Sequence, residues 1–144
     1  MMIRTEKISS DWKGGMRVDG QVGDHTVIID QPPMMGGTDA GPNPLAYLLF
    51  SLGGCLAMVA AIIAKQEQIK LRGFSVEVEG DYDVDFIMGK TKEGRAGFME
   101  IREKVTIDAD LTDEEKAAFF EKVHARCPVT DNISQQTNIT FEIN

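Results

Sequence analysis

The chain has 144 residues, 42% hydrophobic and 26% charged, which suits one globular domain, 1–144, built on a single core. A formal net charge of −8 argues against nucleic acid and anionic membrane surfaces as partners. With two cysteines and no basic segment leading into an apolar stretch at the N-terminus, the expectation is a cytoplasmic protein whose thiols are reduced at rest.

Residues 2–13 are polar and β-prone and read as a strand, ended by the turn signal Gly14-Gly15. Residues 16–22 alternate Met16, Val18 and Val22 against Arg17, Asp19 and Gln21, which is strand periodicity. After Gly23-Asp24 comes a third strand, 25–30, and the three form an antiparallel meander. Residues 31–42 hold three prolines and three glycines, so they form a loop long enough to be a candidate binding loop.

Residues 43–70 then read as one helix of roughly 40 Å, with Asn43 as N-cap and Pro44 in the first turn. From Leu45 to Ala64 there is no charged residue, and an all-apolar helix must be buried. The run also meets the length test for a membrane span. Its Ala and Gly content, and the amphipathic strands elsewhere that need covering, favour a central core helix. Gly53-Gly54 costs about 1 kcal/mol per glycine relative to alanine, which predicts a close approach to the backbone beside Cys55.

Residues 74–86 alternate cleanly, with Phe74, Val76, Val78, Tyr82, Val84 and Phe86 on one face, as in a half-buried strand. A loop at 89–97 leads to a strand at 98–109. Thr112 and Glu115 make a capping-box pattern for the next helix, which Pro128 interrupts. Residues 129–134 add a short turn of helix, and 138–143 alternate as a closing strand. The order β-β-β-α-β-β-α-β with short connections defines an α+β fold.

Cys55 and Cys127 are the first chemical candidates. A reactive thiolate in a buried helix needs a cation, and Arg17, between apolar neighbours on a strand, is one choice, with Arg126 the next. On composition alone, Cys55 is better read as a small packed core residue than as a reactive one, and a solvated strand face accounts for Arg17 as well as a cation role does. Cys127 ends a helix before Pro128, where its thiol is partly exposed, yet it also continues the Ala117–Phe120–Val123 stripe. His25 and His124 with the two cysteines have no ligand spacing for zinc, so no metal is expected. No cofactor motif is present.

The segments NPLAYLLFSLGGCLAMVA and HARCPVTDNI together resemble the OsmC/Ohr family of thiol-dependent hydroperoxide reductases, over about residues 12–144. They share a proline eleven residues before a helical cysteine and a later cysteine in a C-P-V context. The resemblance implies an intertwined homodimer with antiparallel sheets around a long central helix and sites at the subunit interface. It implies that Cys55 is the peroxidatic cysteine for organic hydroperoxides, that Cys127 resolves it as a disulfide, and that a dithiol reductant restores both. Arg17 in GGMR stands nearest the family's thiolate-holding arginine, offset by one residue. Leu45 and Ala46 stand where members usually carry a glutamate, which places the chain nearer a diverged OsmC-like branch. The alternative is an OsmC-fold protein that binds a small hydrophobic or thiol ligand at the dimer interface.

Overall fold

The computed structural model describes residues 1–144, which fall into two compact units, 1–48 and 49–144. The first contains the meander β1 (Ile8–Gly14), β2 (Arg17–Val22) and β3 (His25–Ile29), antiparallel in sequence order. The first strand begins six residues later than its β-prone composition suggests, since only from Ile8, opposite Val22, does it find ladder partners. Gly23, at φ +57, takes the first place of the two-residue turn between Val22 and His25, where the hairpin twist favours glycine.

The loop after β3 is organised around Asp30, which is 1% exposed. Its carboxylate accepts from the Gln31 N–H (2.8 Å), the Thr38 N–H (3.1 Å) and hydroxyl (2.7 Å), and the Ala40 N–H (3.1 Å). These donors, the Thr38 hydroxyl foremost, hold its pKa down at about 2. The loop contains a 3-10 turn at Pro33–Met35. It passes so close to β3 that a Cβ on Gly41 would lie 2.2 Å from the Ile28 carbonyl oxygen. Residues 31–42 are thus a tightly bonded connection.

Helix α1 (Pro44–Gln66) starts as the sequence indicates, with Asn43 Oδ1 accepting from the Ala46 N–H at 2.9 Å. It stops short of Lys70. Gln68 turns left-handed (φ 56), and the Ile69 N–H returns to the Ala64 carbonyl at 2.8 Å, a Schellman closure without glycine.

In the second unit, β4 (Gly73–Asp81) and β5 (Glu100–Asp108) form an antiparallel pair from Gly73↔Asp108 to Asp81↔Glu100. The strand expected to reach Phe86 ends at Asp81. Asp83 caps a short helix α2 (Val84–Ile87) by accepting from the Asp85 N–H at 2.9 Å, so local capping overrides the alternation. Helix α3 (Asp113–Arg126) has the reciprocal capping box: Glu115 N–H to Thr112 Oγ1 at 3.2 Å, and Thr112 N–H to Glu115 Oε2 at 2.8 Å. It buries Phe119 and Val123, a stripe turned one residue from the Ala117–Phe120 reading. Helix α4 (Pro128–Ser134) follows directly.

The core of this unit is one face of α1, namely Leu52, Leu56, Val59, Ala60 and Ile63, packed with Phe119, Val123 and Cys127 and flanked by Phe74, Val76 and Ile107. The other face is apolar but open: Phe50 is 76% and Met58 69% exposed. The helix passes a membrane-span test on length and hydropathy, but its buried stripe has the spacing of a core helix. The expectation that it is covered on every side does not hold within one chain. Residues 138–143 form no strand: no segment of the chain pairs with them, and Ile139 and Phe141 are 84% and 83% exposed.

Candidate functional site

Cys55 lies in the middle of α1 at the edge of the core, where its half-buried thiol lines a cavity of about 580 Å³. The walls are chiefly Phe50, Met58, Val59, Ile62 and Pro128, with Arg126 as the one charged side chain. The glycine pair serves two purposes. A Cβ on Gly53 would sit 3.5 Å from Val78, an ordinary packing distance that lets β4 lie against the helix. A Cβ on Gly54 would meet nothing within 4 Å, because Gly54 faces the cavity.

Cys127 is 1% exposed, so the partial exposure expected from its helix-end position is corrected: Pro128 breaks the helix, but the sulfur turns into the core. Pro128 lacks the N–H that would continue α3 and begins α4, leaving Cys127 as C-cap of one helix and N-cap of the next. Its Sγ accepts from the Thr130 N–H at 3.4 Å. The Thr130 Oγ1 is buried with no hydrogen-bond partner, although the hydroxyl stands near enough to the sulfur to favour an anion there.

The two cysteines, far apart in the sequence, come to one core. Both are free thiols, Cys127 inside the buried cluster and Cys55 packed against it. Burial is the largest influence on each and disfavours the thiolate. At Cys55 it prevails and pushes the thiol up, helped by the neighbouring Cys127 sulfur and opposed by the Val129 N–H. At Cys127 burial is outweighed by Thr130, through hydroxyl and N–H, and by the Cys55 thiol, so that thiol is pulled down.

Arg17 lies in the first unit, on β2, where its Nε donates to Asp19 Oδ1 at 2.7 Å and its Nη2 to Oδ2 at 3.3 Å. Arg126, on the cavity wall, donates from Nη1 to Gln66 Oε1 at 2.8 Å. His124 stands 3.7 Å from Glu103 on the inner face of β5, and His25 is on β3. No three His, Cys, Asp or Glu side chains converge as a metal site. Thr130 is the functional neighbour that sequence reasoning missed. Its signal was its place three residues after a capping side chain, where the backbone N–H meets the cap.

Several solved structures superpose on this chain. An OsmC-like protein of Mycoplasma pneumoniae superposes with TM-score 0.80 at 22% identity, covering 92% of this chain and 89% of the other. An organic hydroperoxide resistance protein of Legionella pneumophila gives 0.69 at 20% identity (92% and 91%), and another of Elizabethkingia anophelis gives 0.69 at 20% (90% and 88%). The class is therefore the OsmC fold. Residues 37–142 match the OsmC-like protein family, and the chain belongs to it. No curated protein matches the sequence.

Proposed function

We propose that the protein is a thiol-dependent peroxidase for organic hydroperoxides, acting in the cytoplasm as a homodimer. Cys55 attacks the peroxide and becomes a sulfenic acid, Cys127 condenses with it to a disulfide, and a dithiol reductant restores both thiols. The observation that carries this reading is the gathering of both thiols at one core, Cys55 on the wall of an apolar cavity and Cys127 buried in the cluster it packs against. An apolar wall suits the organic part of an alkyl hydroperoxide better than hydrogen peroxide. Arg17 is assigned as the thiolate's cation on the family resemblance alone, since its partner in the structure is Asp19. Relatives described as organic hydroperoxide resistance proteins support the same chemistry.

A second reading, capture of a small hydrophobic or thiol ligand beside Cys55, is favoured by one feature. Leu45 and Ala46 replace the glutamate that would orient the arginine. Peroxide consumption with a dithiol reductant separates the two. The peroxidase consumes alkyl hydroperoxides faster than hydrogen peroxide and loses all turnover in Cys55→Ser. Failure of the wild type to consume any hydroperoxide would leave the ligand-binding reading.

A further inference from the structure

We propose that the protein binds a small primary amine at a second site, a cavity of about 390 Å³ where β5, α3 and α4 meet α1, with Glu103 as the carboxylate that receives the ammonium group. Cys55 does not line this cavity, and the inference does not rest on the peroxidase reading.

Glu103 breaks the pattern of its strand. On the inner face of β5, Ile101 and Ile107 pack on the core, and Glu103 shares that face, opposite Val78 of β4. Its side chain is only 15% exposed. A carboxylate withdrawn that far from water needs partners. Its one charged neighbour is His124, with Nε2 3.7 Å away, too far for a hydrogen bond. The cations nearest along the strand are engaged elsewhere: Arg102 with Glu79, Asp81 and Glu100, and Lys104 with Glu77. Those of α3 are no nearer to hand. Lys122 donates to Glu67, Arg126 donates to Gln66, and Lys116 lines a different cavity.

The cavity around this carboxylate states the rest of the ligand. Leu52, Ile101 and Ile133 give it an aliphatic wall, and no lysine or arginine lines it. The Ser134 hydroxyl, on the same wall, donates to the Thr130 carbonyl at 2.8 Å, which leaves its lone pairs free to accept. The Thr130 hydroxyl is buried there without a hydrogen-bond partner. A cationic donor with an apolar body complements both the carboxylate and the wall. An ammonium group brings three N–H donors, and its bond to a carboxylate is charge-assisted. An anion would meet Glu103 as like charge, and a neutral apolar molecule would leave the carboxylate unpaired. One carboxylate and one imidazole do not make a metal site. The volume lies within the range of small-molecule pockets, about 300–1,000 Å³.

The test is a titration of the full-length protein, followed by NMR, with isopentylamine and with isopentanol, its uncharged counterpart. Isopentylamine should bind about tenfold more tightly or better, the lower end of what a charge-assisted hydrogen bond contributes. Its saturating shifts should fall at Glu103, His124 and Ile133. Glu103→Gln, which keeps the shape of the side chain, should bring the amine down to the affinity of the alcohol. Ser134→Trp, at an exposed position on the rim, should narrow the cavity and weaken both probes. An amine that binds the wild type no better than the alcohol overturns the inference. So does a preference that survives in Glu103→Gln, and so do shifts confined to Phe50, Met58 and Ile62, which would place the amine beside Cys55. If Glu103→Gln does not fold, undiminished amine binding by folded Ser134→Trp overturns the inference, and weakened binding there, with the wild-type preference for the amine, bears it out.

Discussion

At the scale of single residues, chemistry depends on contacts that no spacing announces. Cys55 and Cys127 stand far apart in the chain, and only the fold brings both to one core. Mild oxidation with an alkyl hydroperoxide should join them in one intramolecular disulfide, seen by mass spectrometry as loss of two protons and of both free thiols. Over-oxidised Cys55 beside a free Cys127 would contradict the pairing. Arg17→Ala should slow alkylation of Cys55 if the family role holds; a rate unchanged across pH would assign Arg17 to Asp19 alone. Asp30 was silent in the sequence because its four donors come from a loop with no periodicity. Its folded pKa of about 2 lies below the ordinary value of 3.8, so the stability it adds is complete above that ordinary value. That stability is lost as pH falls through about 2. Asp30→Asn should flatten the acid limb of the unfolding profile, and an unaltered limb would show that another carboxylate governs it.

At the scale of elements, the sequence was most legible where local chemistry decides. Asn43 and Thr112 cap their helices as their residue types suggest. Thr112→Ala should cost about 1 kcal/mol of stability, measurable by denaturant midpoint. The misreadings share one cause: alternation reports a possible face, while pairing and capping decide its extent. The alternating stretch before Phe86 ended at Asp81 because Asp83 offered its side chain to two backbone N–H groups. The two helical glycines carry a sharper prediction. Gly54→Ala enters open space and should gain up to about 1 kcal/mol from helix propensity alone. Gly53→Ala must share its gain with contact against Val78. Gly54→Leu should instead fill the cavity and slow bulky hydroperoxides more than hydrogen peroxide; equal slowing would detach the cavity from substrate choice.

At the scale of the whole molecule, the α+β class and the family were readable from α1 and the two cysteine motifs, while the open face of α1 was not, since composition cannot say which side is covered. Exposed Phe50 and Met58, with the unpaired residues 138–143, give the proposed homodimer its surface. Sedimentation should find a dimer at micromolar concentration and a monomer for Met58→Glu. Equal sedimentation of the two would move the interface elsewhere. The order of the core along the chain has its own consequence during synthesis. Everything in the second unit that packs on α1, from Phe74 to Val123 and Cys127, is encoded after it. At about 5–20 residues per second, the ribosome presents a bare, span-like apolar helix for roughly 3–12 s before its cover exists. Nascent chains stalled near Asp110, with α1 clear of the ribosome and α3 not yet made, should be held by chaperones or signal-recognition factors, and the released full-length chain should be free of them.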